Sequence, residues 1–381
     1  MLLQRAGWDK FWEEKFADLA GQGLQPARVL AQYRNSYSLW TSSGEADAEI
    51  AGALLYRADV GGLPVVGDWV AVRQYTPADV AIITEVLPRR TKFSRKSSGP
   101  TEHEQVIAVN IDLVFIVCGL DHDYNLRRLE RYLVAARQSG ARPVIVLNKA
   151  DLYNADQCAD LAARIAEVQA IAVDVQVMAI SAINAAAEDL RQIDAAGAGS
   201  GLTVAALLRM IGAGKTAALV GSSGAGKSTI VNQLLGTEAQ ATQPTRESDS
   251  RGRHTTTHRE LFFLCNGGLI LDNPGMRELQ LWSQNFRQGN PASAVDEAFP
   301  EIEALAATCA FRDCTHTAEP GCAMQTALAS GEIHKARWRS YLKLQRELRH
   351  AAAQADPNLR RTEKERWKKL CSDVKRNQKR R

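Results

Sequence analysis

Residues 216–235 read TAALVGSSGAGKSTIVNQLL, and the fold of the central part of the chain follows from this stretch. An apolar, strand-like run leads into the complete pattern G-x-x-x-x-G-K-[ST], and residues with helical spacing follow. Glycines in such a strand-loop-helix unit let successive backbone N–H groups point into one concavity at a helix N-terminus, where nucleotide phosphates bind. Lys227 is expected to meet the β- and γ-phosphate oxygens, and the Ser228 hydroxyl to ligate Mg²⁺. The predicted phosphate loop comprises Gly221, Ser222, Ser223, Gly224, Ala225, Gly226, Lys227, Ser228 and Thr229.

A second motif, NKAD, follows the apolar run PVIVL. The Asp151 carboxylate is suited to accept hydrogen bonds from N1–H and N2–H₂ of guanine, and adenine offers no equivalent pair. A site built on such a pair rejects bases that leave it unpaired. The motif alone could simply cap the following helix, but together with the phosphate loop it predicts a guanine-nucleotide site. The residues expected to contact the base are Asn148, Lys149, Ala150 and Asp151, with Ser181 and Ala182 of the segment AISAI meeting guanine O6.

The segment DNPG, residues 272–275, ends the apolar run LIL. We expect Asp272 to hold Mg²⁺ through a water and the Gly275 N–H to meet the γ-phosphate. The preceding polar loop SRGRHTTTHRE contains three threonines, of which Thr256 is the candidate Mg²⁺ ligand when a γ-phosphate is present. The alternatives are an ordinary β-turn for DNPG and a plain surface loop for the threonines.

The order of these motifs is unusual, because NKAD and AISAI precede the phosphate loop. Strand and helix patterns alternate from about residue 106, which predicts a parallel α/β sheet. The sequence therefore predicts a circularly permuted P-loop GTPase domain over residues 101–290. Met276 occupies the position where many GTPases carry a water-orienting glutamine, so intrinsic hydrolysis should be slow. Lys227 and His254 are the candidate catalytic residues; His254 would position water, although a solvated loop histidine is the plain alternative.

Residues 1–24 are predicted as a helical extension, with an amphipathic helix over residues 8–20. Residues 25–100 are predicted as an OB-type β-barrel, a fold that often binds RNA but also binds proteins. The basic stretch PRRTKFSRKSSGP, residues 88–100, is interpreted as a linker. The five strands expected in the barrel are ARVLAQY, YSLWTS, IAGALLYR, WVAVRQY and VAIITEVL.

The third predicted domain, residues 291–381, is mostly α-helical and contains the segment CAFRDCTHTAEPGC. Four soft ligands in a turn-rich stretch suit one structural Zn²⁺ in a closed tetrahedral shell, although loose cysteines and a chance histidine would give the same letters. The predicted zinc ligands are Cys309, Cys314, His316 and Cys322.

Cys118 and Cys265 are predicted as small core residues. The odd total of seven cysteines favours a reducing compartment.

The net charge of +4 hides an uneven distribution. Residues 331–381 contain seventeen Lys and Arg against six Asp and Glu, so the rest of the chain is acidic. A basic tail indicates a nucleic-acid partner or a solvated helix face. The sequence lacks a secretory signal pattern and a run of about 18 apolar residues, which predicts a cytoplasmic protein that does not bind membranes.

The chain resembles the RsgA (YjeQ) family, the bacterial GTPases that depend on the small ribosomal subunit. The resemblance covers nearly the whole chain and implies an OB domain, a permuted GTPase domain and a zinc domain that grip the maturing 30S subunit near its decoding region. It also implies binding to 16S rRNA and GTP hydrolysis that the subunit stimulates and that is coupled to release. The segments that carry it are VGDWVAV, LPRRTKFSRK, NIDLVFIV, NLRRLERYLVAA, NKAD, GRHTTT, DNPGMREL, FRDCTH and EPGC.

Two hypotheses of different classes remain at the level of sequence. The first is a monomeric GTPase that acts late in small-subunit assembly, and the second is an RNA-binding scaffold that uses GTP as a structural ligand. The second hypothesis stays open because Met276 stands where many GTPases carry a water-orienting glutamine. A zinc-finger DNA regulator is disfavoured, because the metal segment is not part of a ββα unit.

Overall fold

The computed structural model describes residues 2–34, 36–58, 61–74, 76, 79–96, 104–153, 157–183, 203–236, 259–272, 291–311, 313–317 and 319–355. The chain forms two compact units, residues 1–280 and 281–381. The predicted domain boundaries at residues 24, 100 and 290 remain predictions.

The aromatic residues at the start of the chain form helices that pack on the barrel. Helix α1 (Leu2–Arg5) is followed by α2 (Lys10–Ala20), which confirms the predicted amphipathic helix. The Asp9 side chain caps α2 by accepting a hydrogen bond from the Phe11 N–H at 3.1 Å. The buried aromatic side chains of this cluster, which include one from the barrel, are Trp8, Trp12, Phe16 and Trp69.

The five-stranded N-terminal barrel is present, and its first and fourth strands pair to close it. One predicted strand, IAGALLYR, is wrong: most of it forms helix α3 (Gly52–Arg57), in which Tyr56 is 95% exposed and only Leu54 is buried. The third strand instead comes from the sequence GEADAEI, in which three exposed acidic residues alternate with small or apolar residues that are half-buried or buried. The strands are β1 (Gln25–Gln32), β2 (Tyr37–Thr41), β3 (Gly44–Ile50), β4 (Trp69–Arg73) and β5 (Ala81–Val86).

The segment predicted as a linker over residues 88–100 is partly wrong. Its central residues form β6 (Lys92–Lys96), which pairs in an antiparallel ribbon with β7 (Glu104–Val109). The pairing is supported by apolar side chains of β7, of which Val106 and Val109 are buried.

The predicted parallel sheet of the nucleotide domain is confirmed, with the order β10-β9-β8-β11-β13-β12. All pairs are parallel except β12–β13. All residues of β8 and β11 are buried, as expected for central strands covered on both faces. The strands are β8 (Leu113–Gly119), β9 (Arg142–Asn148), β10 (Gln176–Ala179), β11 (Thr216–Gly221), β12 (Arg259–Phe263) and β13 (Leu269–Asp272); the helices are α4 (Leu126–Ser139), α5 (Cys158–Ile171), α6 (Val204–Ile211) and α7 (Lys227–Leu235).

The barrel and the nucleotide sheet are continuous through an antiparallel pairing of β12 with β1.

Cys118 is buried in β8, as predicted, but the core assignment of Cys265 is wrong. Cys265 is exposed because it lies in the turn between β12 and β13 rather than in a strand.

A buried arginine forms hydrogen bonds at the junction between the barrel and the nucleotide sheet. Arg28 of β1 donates hydrogen bonds to the carbonyl oxygens of Gly67, Ala6 and Asn110 and, at 2.8 Å, to Thr216 Oγ1 of β11. The guanidinium is therefore satisfied by several separate stretches of chain. Burial lowers the pKa of Arg28 to about 10, so the side chain remains charged at neutral pH.

The second unit is helical in the part that the structure describes. Arg337 is buried, donates to Glu301 at 2.7 Å and to the Ala298 carbonyl at 2.8 Å, and lies over the Phe299 ring. Its helices are α8 (Pro291–Ala298), α9 (Pro300–Ala306), α10 (Ala323–Ser330) and α11 (Lys335–Ala355). Among the described helices of the whole chain, none is both long and apolar enough to cross a membrane.

Candidate nucleotide site and metal centre

The predicted phosphate loop joins β11 to α7 at the carboxyl edge of the parallel sheet. Gly221 has φ 151°, and a Cβ there would lie only 2.2 Å from the Val117 carbonyl oxygen of β8, so a side chain cannot fit. Lys227 Nζ donates to the Gly221 carbonyl at 2.8 Å and also to that of Ser222, so the loop closes around its own lysine. Helix α7 begins at Lys227, which directs the N–H groups of its first turn toward the loop.

Asn148 connects the three predicted nucleotide segments. Its Nδ2 donates to the Ala225 carbonyl of the phosphate loop at 2.9 Å, and its Oδ1 accepts from the Ala182 N–H at 3.0 Å. The contact requires glycine beside it, since a Cβ on Gly226, where φ is +95°, would lie 2.1 Å from Asn148 Nδ2. Residues far apart in sequence are therefore brought together as the motifs predict.

The Asp151 end of NKAD, which is predicted to read the base, is held by the neighbouring segment. Ser181 Oγ donates to Asp151 Oδ1 at 2.5 Å, and the Ala150 N–H donates to the Ile180 carbonyl at 3.0 Å. Lys149 occupies the left-handed region at φ 68°, which turns the chain sharply between Asn148 and the following 3₁₀ turn. The Asp151 carboxylate is thereby oriented at the surface, where it is available to a base.

Two acidic residues at this site were missed by sequence reasoning. Asp121 Oδ2 accepts a hydrogen bond from Lys149 Nζ at 2.6 Å, and Asp123 accepts one from the Ser222 hydroxyl. Burial pushes the pKa of Asp121 upward, but the hydrogen bond from Lys149 helps to outweigh it and the pKa lies below its ordinary value. The loop after β8 carries no recognised motif; only the position of β8 between β9 and β11 indicates its importance.

The predicted Mg²⁺ side of the site is described in part. Ser228 lies in the first turn of α7, and Asp272 ends β13, the strand beside β11. A hydroxyl and a carboxylate are oxygen donors of the kind Mg²⁺ prefers, so this pair fits the ion. The remaining predicted residues of this part of the site lie outside the described residues: His254, Thr256 and Gly275.

The predicted zinc ligands come together in the second unit. Their ligand atoms all lie within 4.8 Å of one another. His316 Nδ1 lies 3.5 Å from the Sγ atoms of both Cys309 and Cys322, and His316 adopts φ 59°, a left-handed turn that lets it face the cysteines. Three thiolates and one imidazole match a closed structural Zn²⁺ shell. The set comprises Cys309, Cys314, His316 and Cys322.

The surroundings act differently on the thiols of the cluster: desolvation raises the pKa of Cys314 to about 11, whereas the pKa of Cys309 is lowered. Desolvation raises the pKa of Cys309, but hydrogen bonds from the backbone N–H groups of Met324 and Ala323 at the start of α10 outweigh it and leave the pKa lowered. The Trp338 ring packs edge-on against His316, with centroids 5.9 Å apart. Such outer contacts orient metal ligands.

A phosphate loop, an N-K-x-D segment and an S-A segment that converge at the carboxyl ends of parallel strands define a P-loop GTPase. Because the base-reading segments precede the phosphate loop in the chain, this GTPase is circularly permuted. The chain belongs to the RsgA GTPase family, whose sequence model matches residues 86–282. It is accordingly a GTP hydrolase.

Similar proteins cover the chain almost end to end. A protein of Opitutus terrae named small ribosomal subunit biogenesis GTPase RsgA is 47% identical over 379 residues, covering 97% of this chain and 96% of its own. A protein of the same name from Leptospira interrogans is 40% identical over 369 residues, covering 97% of this chain and 94% of its own.

Two solved structures share the fold. YjeQ from Thermotoga maritima superposes with a TM-score of 0.59 at 22% identity, covering 85% of this chain and 98% of that one. YloQ, a circularly permuted GTPase, superposes with a TM-score of 0.56 at 19% identity, covering 86% of this chain and 96% of that one. The permuted multidomain architecture predicted from the sequence is confirmed.

Proposed function

We propose that this protein is a GTPase that binds the small (30S) ribosomal subunit, assists its late maturation and couples GTP hydrolysis to its own release. The nucleotide part is carried by one observation: Asn148 hydrogen-bonds both the phosphate loop and the S-A segment. The ribosomal part follows from relatives that match the chain almost end to end and whose names state a role in small-subunit biogenesis.

The proposed GTP site uses the residues predicted from the sequence. Asp151 reads the guanine edge, and the backbone N–H groups of the phosphate loop hold the β-phosphate. The complete proposed set is Asn148, Lys149, Ala150, Asp151, Ser181, Ala182, Gly221, Ser222, Ser223, Gly224, Ala225, Gly226, Lys227, Ser228, Thr229, Asp272 and Gly275.

Lys227 and a Mg²⁺ ion would stabilise negative charge that develops on the phosphates during hydrolysis. Ser228, Asp272 and Thr256 are the proposed protein groups for that ion. His254 is the proposed group that positions the attacking water, since Met276 has no atom that can do so. Because the chain lacks a glutamine there, a contribution from the bound subunit would complete the site.

The second unit is the proposed rRNA-binding module. Its last described helix, α11, includes Trp338, whose ring packs on His316. The exposed basic residues of this helix are Lys335, Arg339, Lys343, Arg346 and Arg349. Cationic side chains neutralise phosphates, which suits this helix to the backbone of 16S rRNA. A structural Zn²⁺ would hold the loop from which α10 begins. We propose that the protein acts as a monomer in the cytoplasm.

The test is co-sedimentation with purified 30S subunits. With a non-hydrolysable GTP analogue the protein should pellet with the subunits, and with GDP most of it should stay in the supernatant. Equal pelleting in both nucleotide states would contradict the coupling of hydrolysis to release. No pelleting in either state, with nucleotide binding verified, would contradict the ribosomal part and leave the GTPase assignment standing.

A further inference from the structure

The loop between β8 and α4, residues 120–125, occupies the centre of the proposed nucleotide site. In the sheet, β8 lies between β9, which carries NKAD, and β11, which carries the phosphate loop. In a parallel sheet, loops at the carboxyl ends of neighbouring strands lie side by side. The loop after β8 is therefore placed between the groups that meet the base and those that meet the phosphates.

Asp121 is held within this loop by a hydrogen bond to its own carboxylate. Its Oδ1 accepts a hydrogen bond from the Asp123 N–H at 3.1 Å. The Asp123 carboxylate in turn accepts hydrogen bonds from the Ser222 hydroxyl, from Arg128 and, at 3.4 Å, from the Gly119 N–H. The side chain of Asp123 is only 10% exposed, so the anchor is nearly shielded from water.

The other carboxylate oxygen of Asp121 is aimed at the lysine of NKAD. The pair Lys149 Nζ to Asp121 Oδ2 measures 2.6 Å, with side chains 21% and 16% exposed. His122 also lies near that oxygen, at 3.6 Å, but its ring is 91% exposed. The lysine stem is a flexible chain of four carbons that begins at a sharply turned backbone position. Fixing the ammonium at its far end therefore fixes the path of the stem.

We infer that Asp121 is a positioning residue for guanine-nucleotide binding: it holds the Lys149 ammonium so that the lysine stem is set in place to cover the base. The inference rests on the proposed GTP site. Asp123 extends the arrangement to the phosphate loop, because it bonds both Asp121 and Ser222. Residues 120–125 therefore contact both Lys149 and the phosphate loop. Nucleotide binding then requires little further ordering of the Lys149 side chain.

The test is a double-mutant cycle on the full chain, with dissociation constants for fluorescent GDP and for a fluorescent GTP analogue. Asp121→Asn should weaken binding about five- to tenfold, and Lys149→Met, which keeps an apolar stem, at least as much. In the Lys149→Met background, Asp121→Asn should change the dissociation constant by less than about twofold. The factor should be equal for GDP and GTP, because both carry the same base.

Asp160→Asn is the matched control, since Asp160 is exposed on α5 and loses the same charge. Thermal unfolding of each nucleotide-free variant tests for general damage. The inference is overturned if Asp121→Asn or Lys149→Met leaves binding unchanged, if Asp121→Asn weakens binding equally in both backgrounds, or if only GTP is affected. Failure of the unaltered protein to bind either nucleotide would instead overturn the proposed GTP site, and the inference with it.

Discussion

Among single residues, Asp151 is exposed, yet one oxygen of its carboxylate is hydrogen-bonded within the protein. Oδ1 is occupied by the Ser181 hydroxyl at 2.5 Å, which fixes the plane of the carboxylate. The residue itself is exposed, so the rest of the group can be reached by a base. The exposed side chain is therefore oriented, as its proposed base-reading role requires.

Replacing Asp151 tests the base-reading assignment. Asp151→Asn exchanges an acceptor for an amide N–H₂, which suits the carbonyl at position 2 of xanthine and opposes the amino group of guanine. In a competition assay the preference for GTP over XTP should fall by at least about tenfold. Asp160→Asn serves as a charge-matched control. Unaltered preference for GTP in the Asp151→Asn protein would contradict the assignment.

Gly226 offers a second prediction for a single residue, because two separate constraints act on it. Its φ of +95° disfavours any side chain, and a Cβ would also collide with Asn148 Nδ2. Gly236, at the end of α7, shares only the first constraint: its φ is +67°, and a Cβ placed there would have nothing within 4 Å.

The pair Gly226→Ala and Gly236→Ala therefore separates backbone strain from loss of the Asn148 contact. The left-handed backbone alone should cost each variant roughly 1 kcal/mol of stability. Only Gly226→Ala should also weaken GDP binding, by at least about tenfold, measured by titration with fluorescent GDP. Similar binding by the two variants would show that the Asn148 contact does not support the nucleotide site.

Among the helices and strands, the junction at Arg28 joins parts of the fold that the sequence presents as separate. Strand β1 belongs to the barrel, yet its arginine bonds Thr216 at the start of β11 and the Ala6 carbonyl beyond α1. A shorter or neutral side chain would leave buried carbonyl groups at this junction without their donor. The arginine therefore contributes to the continuity of the eleven-stranded sheet.

Arg28→Met should lower the free energy of unfolding of the first unit by about 3 kcal/mol, since it leaves buried polar groups without partners. Chemical denaturation followed by tryptophan fluorescence measures this, because Trp8, Trp12 and Trp69 lie in the adjoining cluster. The matched control is Arg73→Met, whose side chain is exposed in β4. Equal stability of the two variants would show that the Arg28 bonds add nothing net.

Some of the loops, strands and helices could be predicted from the sequence, and others could not. The phosphate loop and NKAD were predictable because each function requires fixed residue types at fixed spacing next to an apolar strand. Strand β3 was not, since the residues that alternate with its exposed acidic side chains are mostly glycine and alanine, which give only a weak apolar signal. Helix α3 was misread as a strand because the apolar residues of IAGALLYR are mostly exposed or half-buried.

The positions of Asp121 and Asp123 were beyond prediction for a different reason. Their importance depends on β8 lying between β9 and β11, and strand order is a property of the folded sheet. Cys265 illustrates the reverse case: its apolar neighbours in sequence suggested a core position, while the turn that contains it leaves it exposed. Local sequence predicts local chemistry more reliably than it predicts spatial neighbours.

Over the full chain, the nucleotide site and the zinc cluster belong to different compact units. Metal loss should therefore affect one and spare the other. Structural zinc supplies much of the folding free energy of small metal-bound modules, about 10–16 kcal/mol in isolated zinc-finger peptides. The four ligands bring together the segment after α9, the turn that follows it and the start of α10.

Chelation of the metal, or Cys309→Ala, should make the second unit sensitive to limited proteolysis and abolish pelleting with 30S subunits. The dissociation constant for GDP should change by less than about twofold, since the proposed nucleotide-binding residues lie in the first unit. Cys265→Ala, which removes an exposed thiol outside the cluster, is the control. Loss of GDP binding together with the metal would show that the two units do not fold independently.

The decisive measurement is the rate of GTP turnover by the full chain as purified 30S subunits are titrated. We predict slow turnover alone and a saturable rise of at least about tenfold with subunits, because Met276 leaves the water-positioning role to another group. His254→Ala should reduce the stimulated rate while nucleotide affinity is retained. A turnover rate that stays flat while the same subunits bind the protein would contradict the proposed function and favour a scaffold that holds GTP as a structural ligand.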